Sequence, residues 1–305
     1  MPYDHILLIG YGAPEQPDDV LPFLEEATRG VRVSRERLEE VRSHYDLLGG
    51  ASPYNGACYR LCNQLFEALG GSVPVYVGMK NWHPFLKDTL RAIGEAGGKR
   101  GLGLVLAPHR SEASFDRYVQ AVNQAQKDAR LQGLSYTYPA PWHEDARFVE
   151  AWAHQVRMEL GRLRSEAFPE PVLLFSAHSI PTDMAEKSNY AAEFRATAGA
   201  VAQAAGVRPD RIALAYQSRS GNPKQPWLEP DVLQAAKALA DKGETCVLTV
   251  PVGFLCENVE ILYDLDTELR EECVRLGMQY ARAGTVMDHP KFLEMLAGYL
   301  TPQSG

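Results

Sequence analysis

The chain has 305 residues, of which 45% are hydrophobic and 23% charged, with 25 glycines and 20 prolines. This is the composition of a soluble globular protein of two domains or one large α/β domain, and it excludes collagen-like, coiled-coil and disordered readings. The formal charge of −8 and the lack of any basic tract speak against nucleic acid as a partner. The five cysteines show no Cys-x-x-Cys spacing, which argues against a disulfide framework or a zinc ribbon and fits the reduced thiols of a cytosol.

The N-terminal run 5-HILLIG-10 lacks a basic flank and a small-residue cleavage site, so it reads as a first strand and not as a signal peptide. Further short apolar runs follow at 74-PVYVGM-79, 102-LGLVLA-107, 134-LSYTY-138, 172-VLLFSA-177, 212-IALAY-216, 246-CVLTV-250 and 278-MQYAR-282. Their continuous apolarity predicts strands buried on both faces. Amphipathic stretches lie between them at 58–69, 84–97, 147–164 and 231–243. Such alternation predicts an α/β fold of parallel sheets with right-handed crossovers. The two prolines of 165-SEAFPEP-171 place the expected domain boundary there. The expectation is two doubly wound, Rossmann-like domains, 1–165 and 166–305, facing one another across a cleft, with the last helix returning to the first domain. Ligands of such sheets bind beyond the carboxyl ends of the strands. No apolar stretch reaches the ~18 residues of a spanning helix, and the expected location is cytoplasmic.

Several strand ends carry candidate chemistry. The first opens into 10-GYGAPE-15, where Glu15 and Pro14 spoil a dinucleotide loop and leave Tyr11 beside the expected cleft, a position that by sequence alone better suits an ordinary turn tyrosine. The fifth ends in 176-SAHSIP-181, placing His178 where an imidazole could exchange protons or ligate Fe(II). In 251-PVGFLCENVEILYDLDTELR-270, Glu260, Asp264 and Glu268 recur every four residues and form one acidic stripe on a predicted α-helix, with Val259, Leu262 and Leu265 packing on the other side. Like charges at this spacing oppose the helix, and a cation would relieve them. The stripe is otherwise a solvated acidic face. In 215-AYQSRSGNPKQPWLEPD-231, Gln217, Ser218 and Arg219 form a polar cluster, and Trp227 is either a wall for a flat aromatic ligand or a loop anchor.

Taken together, 176-SAHSIP-181, 251-PVGFLCENVEILYDLDTE-268, 215-AYQSRSGNPKQPWLEPD-231 and 49-GGASP-53 resemble the ferrochelatases along the whole chain. The resemblance implies the chelatase fold and the insertion of Fe(II), a substrate, into a porphyrin as a step of haem biosynthesis. It implies His178 and Glu260 as the residues handling the metal and the pyrrole protons, with Asp264 and Glu268 as an acidic line that leaves room for a second divalent ion. No [2Fe-2S] cluster is expected, since such a cluster needs four ligands and Cys58 and Cys62 form an isolated pair. The segment 181-PTDMAEKSNYAAEF-194 is similar to the soluble bacterial members that act on coproporphyrin III, with a downstream haem-pathway enzyme as a further partner. In that branch Arg29, Tyr45, Ser52 and Tyr118 would meet propionates and Tyr11 would lie on the far side of the macrocycle. His44 stands where an arginine is expected, and Asn258 and Cys256 replace the usual run before the glutamate. Protoporphyrin IX is the alternative substrate, a cobalt or nickel chelatase would want a second histidine near the first, and a porphyrin or haem carrier would have no use for the acidic stripe.

Overall fold

A computed structural model describes residues 2–30, 33–220 and 225–300. The chain divides into two compact units. The first, residues 1–106, 112–140 and 287–305, holds a parallel sheet of β1 (His5–Gly10), β2 (Val75–Met79), β3 (Arg100–Val105) and β4 (Ser135–Thr137) in the order β2-β1-β3-β4. Ile6 to Ile9 are fully buried, as a strand with neighbours on both edges and helices on both faces must be. Helices Tyr54–Ala68 and Leu86–Glu95 pack on β2, and the last helix, Pro290–Gly298, packs on Tyr54–Ala68. Arg60 reaches Asp288 at 3.1 Å beside that helix pair.

The second unit, residues 107–111 and 141–286, repeats the arrangement with β5 (Val172–His178), β6 (Ile212–Gln217), β7 (Cys246–Val250) and β8 (Gln279–Arg282) in the order β6-β5-β7-β8, again all parallel. In both sheets the chain leaves the earliest strand toward one edge and then crosses to the other, so each has its switch point at the carboxyl ends of its two central strands. The described strands fall within one or two residues of the apolar runs that predict them.

The structure places the division at 140/141, not at the expected 165/166. Helix Ala146–Ser165 buries Phe148, Trp152, Val156 and Leu163 and packs on helix Tyr190–Ala204, so it belongs to the second core. The Pro-containing segment 165–171 merely turns the chain from that helix into β5. Prolines mark a stop in regular structure, and only burial tells whether a core stops with it.

At the exit of β7 the backbone crosses closely over β5. A Cβ on Gly253 would lie 2.5 Å from Ala177 Cα, and the Gly253 amide donates to Ser176 O at 3.1 Å. Backbone cannot retreat as a side chain does, so Gly253→Ala is expected to destabilise the protein by about 1–3 kcal/mol in urea unfolding and to lower activity with it; wild-type stability would show that this crossing is slack.

Candidate active site

His178 is the last residue of β5, and its main chain pairs with Gln217 at the end of β6. The imidazole Nδ1 is bonded to Ser179 O. A carbonyl only accepts, so Nδ1 carries a hydrogen and Nε2 is the nitrogen that exchanges protons or meets a metal. Glu260 Oε1 lies 3.5 Å from Nε2. The phenol of Tyr190, buried and held in its protonated form by that burial, donates to the His178 carbonyl at 2.8 Å, while Phe254 stands 6.5 Å from the imidazole, centroid to centroid.

Glu260 opens the segment Ile261–Leu269, which winds as a π-helix and not as the predicted α-helix. The Arg270 amide reaches back five residues to Leu265 O, and the Thr267 hydroxyl does the same to Leu262 O at 3.0 Å. Ile261, Leu265 and Leu269 form the buried row; of the expected Val259, Leu262 and Leu265 only Leu265 belongs to it, the other two being half-buried. The acidic residues keep the same spacing one position earlier in the sequence, so Glu260, Asp264 and Glu268 still share a side of the helix. π-helical turns are rare and frequently occur at functional sites.

Three side chains hold the start of this helix. Asn258 Oδ1 accepts from the amides of Glu260 at 2.9 Å and Ile261 at 3.1 Å, so the residue that departs from the family pattern serves as a cap. Gln217, fully enclosed, accepts from Ser176 Oγ at 2.8 Å and donates to Glu260 O at 3.3 Å, joining the ends of β5 and β6 to the helix. Ser218 sits in the left-handed region at φ 60° and donates its hydroxyl to Asp264. A non-glycine residue held there costs roughly 1–3 kcal/mol, a strain typical of functional sites.

The charges respond to one another. Burial opposes the His178 cation, but Glu260, the Ser179 carbonyl and Asp264 outweigh it and raise its pKa to about 9. Burial raises the Asp264 carboxyl, the Ser218 hydroxyl partly offsets this, and Glu260 and Glu268 push it further, to about 7. At neutrality His178 is therefore an imidazolium and Asp264 is near half-protonation. Glu268, the outermost of the row, is exposed. Among the described residues no three His, Cys, Asp or Glu side chains converge as a metal chelate.

Trp227 is half-buried at an isolated antiparallel bridge to Pro181, just beyond His178, flanked by the bonds from Leu228 N to Ile180 O and from Thr182 N to Pro226 O, both 3.0 Å. Residues 221–224 of that loop lie outside the described residues. In the first unit Tyr11 follows β1 and is 43% exposed; the next residue, Gly12, has φ 89°, and a Cβ there would lie 2.8 Å from Trp82 N. Tyr11 meets Phe23 edge to face, and Phe23 meets Tyr45 in the same way, which links two of the expected substrate residues. Tyr45, Ser52 and Tyr118 are largely enclosed. Arg29 is 77% exposed and paired with Glu26, so an anionic ligand would have to displace that partner. His44 is held below the ordinary histidine pKa by burial and by Arg37, so it is mostly uncharged at neutrality and is no standing substitute for an arginine.

The family model for ferrochelatase matches residues 3–303. The chain is 38% identical to a ferrochelatase of Rhodopirellula baltica, over 100% of this chain and 87% of that protein. It is 35% identical to the coproporphyrin III ferrochelatase of Mycolicibacterium smegmatis, over 97% and 88%, and 36% identical to that of Mycobacterium tuberculosis, over 98% and 86%. Among solved structures, SirB from Bacillus subtilis with Fe3+ superposes with a TM-score of 0.55 at 13% identity, covering 96% of this chain and 92% of that one, and DR2241 from Deinococcus radiodurans superposes with a TM-score of 0.55 at 14% identity over 98% and 55%; these two establish the fold alone. A sequence match over nearly the whole chain, with the histidine and acidic helix at the switch point of a chelatase-like sheet, makes the protein a member of the ferrochelatase family, the enzymes that insert metal into porphyrin.

Proposed function

We propose that the protein inserts Fe(II) into coproporphyrin III to give coproheme, working in the cytoplasm, with His178 and Glu260 as the catalytic pair. The observation that carries this reading is the 3.5 Å contact between the two at the carboxyl end of β5. Two pyrrole N–H protons must leave as the dication enters the ring. His178 begins as an imidazolium, so its proton passes first toward Glu260, freeing Nε2 to accept a pyrrole proton or meet the metal. The approach of a dication assists this step by repelling the imidazolium charge. Asp264, poised near neutrality, is matched to take protons onward, and Glu268 offers the next carboxylate toward solvent. Among the described residues no helix is long and apolar enough to cross a membrane.

The choice of coproporphyrin III is supported by the mycobacterial relatives of that name; Arg29, which is exposed, and the enclosed Tyr45, Ser52 and Tyr118 are assigned to the additional propionates as part of the same proposal. A charge-assisted hydrogen bond contributes roughly 1.5–3 kcal/mol, and the exposure of Arg29 puts its share at the low end.

His178→Ala is expected to fold and to lose more than nine-tenths of the iron-insertion rate; a smaller loss, worth less than about 1.4 kcal/mol of barrier, contradicts its role. Glu260→Gln should lower kcat while binding porphyrin nearly normally, whereas parallel loss of binding and rate would make Glu260 structural. In anaerobic assays followed by absorbance, kcat/KM for coproporphyrin III should exceed that for protoporphyrin IX by about tenfold or more, and Arg29→Ala should narrow the gap. A better rate with protoporphyrin IX in detergent-matched assays would overturn the substrate assignment.

Asp264 gives a prediction on stability. Its pKa is raised in the folded protein from about 3.8 to about 7, so folding favours the protonated acid and wild-type stability falls as pH rises between those values. Asp264→Asn, which keeps a group for Ser218 to bond, should therefore gain stability relative to wild type from pH 4 to 7 and hold a constant gain above, while losing turnover. A stability difference that does not change with pH would show that Asp264 titrates normally.

A further inference from the structure

Beyond the groups that face His178, the second unit contains a guanidinium whose hydrogen bonds are all committed to the acidic segment and its surroundings. Arg282, at the end of β8, is largely buried. Its Nε donates to Asp266 Oδ1 at 2.8 Å and its Nη2 to Asp266 Oδ2 at 2.8 Å. Nη2 also donates to Glu257 Oε2 at 2.9 Å, and Nη1 to Glu257 Oε1 at 3.2 Å. The remaining Nη1 hydrogen goes to Ala283 O at 3.1 Å. The five N–H donors of arginine are thus all used, in two bidentate forks and one backbone contact. Thr285 adds a bond to Glu257 Oε1 at 3.2 Å.

The two carboxylates are nine residues apart and bracket the site. Glu257 lies three residues before Glu260, and Asp266 lies two after Asp264, inside the π-helix. A single planar group anchored to β8 therefore ties together two points of the chain that lie on either side of Glu260 and Asp264. Without the fork Asp266 would keep only Arg270, at 3.7 Å and four residues along the same segment, and Glu257 only Thr285, so nothing among these contacts would still tie the two carboxylates to one another. Stability alone is a poor reason for such a cluster, because removing these charges from water costs much of what their attraction returns, and neutral replacements are often tolerated. Lysine would retain the charge without the double fork.

We propose that Arg282 is a positioning residue that sets the register of the π-helix, and through it the placement of Glu260 and Asp264. The proposal rests on the catalytic reading of those two acids, but its structural half can be tested without turnover. In the neutral triple variant Arg282→Met, Glu257→Gln, Asp266→Asn, amide hydrogen exchange of residues 258–269 should quicken by at least tenfold while that of β5 stays unchanged. In the same protein kcat should fall at least tenfold, with porphyrin Kd within twofold of wild type and Tm nearly preserved. Arg282→Lys should fall between the two in both readouts, and it supplies the comparison if the triple variant does not fold. Unchanged exchange in the folded variants, or wild-type kcat in a variant with loosened exchange, overturns the proposal. His178→Ala in the same assay separates the two readings: if it retains turnover, the catalytic assignment has failed, and exchange alone then decides whether Arg282 holds the helix.

Discussion

An imidazole at the end of one strand and a carboxylate just beyond its neighbour share a site 3.5 Å across, and the second unit is arranged around keeping them there. Parallel pairing of β5 with β7 fixes where the two strands end. Gly253 lets the β7 exit lie against Ala177, and the following residues then bring Glu260 back toward His178. The separation is thus set by main chain and by enclosed hydrogen bonds and not by the ion pair itself. Both side chains keep some exposure, yet the Glu260 carboxylate, with the Ser179 carbonyl and Asp264, outweighs burial and holds the imidazole protonated.

The surrounding residues work against local stability in a consistent way. Three acids on one side of a helix repel one another, Asp264 is driven toward its neutral form, Ser218 occupies a left-handed backbone region, and the helix is wound with an extra residue per turn. Each departure is supported by a specific contact: Asn258 at the helix start, Gln217 from β6, and the bond from Ser218 to Asp264 itself. Proteins tolerate such strain where chemistry needs charges that would otherwise disperse. Here the arrangement stores one proton on His178 and leaves the next acceptor near its midpoint at neutral pH, which suits a reaction that must release two protons as a dication arrives.

Much of this was legible in the residues. Continuous apolar runs located the strands because burial on both faces imposes that pattern regardless of helix packing. His178 was identifiable because Pro181 limits the strand, and Glu260, Asp264 and Glu268 because their four-residue spacing survives in either helix type. The spacing does not distinguish a π-helix, since the difference lies in which carbonyl each amide reaches; it shows in the apolar face, where Ile261 and Leu269 join Leu265 in the core and Val259 and Leu262 do not. The domain boundary was misplaced because Phe148, Trp152 and Val156 look alike whichever core receives them. Arg282 carried no local signal, because its two carboxylate partners lie 16 and 25 residues away in sequence. The departure at Asn258 was visible, but its capping role was not, since the bond depends on the turn that precedes the helix.

The dependence of the His178 proton on the Glu260 carboxylate 3.5 Å away sets the charge of the site. It is tested most directly by an NMR titration of the His178 imidazole in the metal-free protein, alongside Glu260→Gln. His178 should titrate near pH 9 in the wild type, and its pKa should fall markedly in the variant, where burial still opposes the cation and the principal counter-charge is gone. A wild-type histidine titrating near 6.5, with no displacement in the variant, would contradict it.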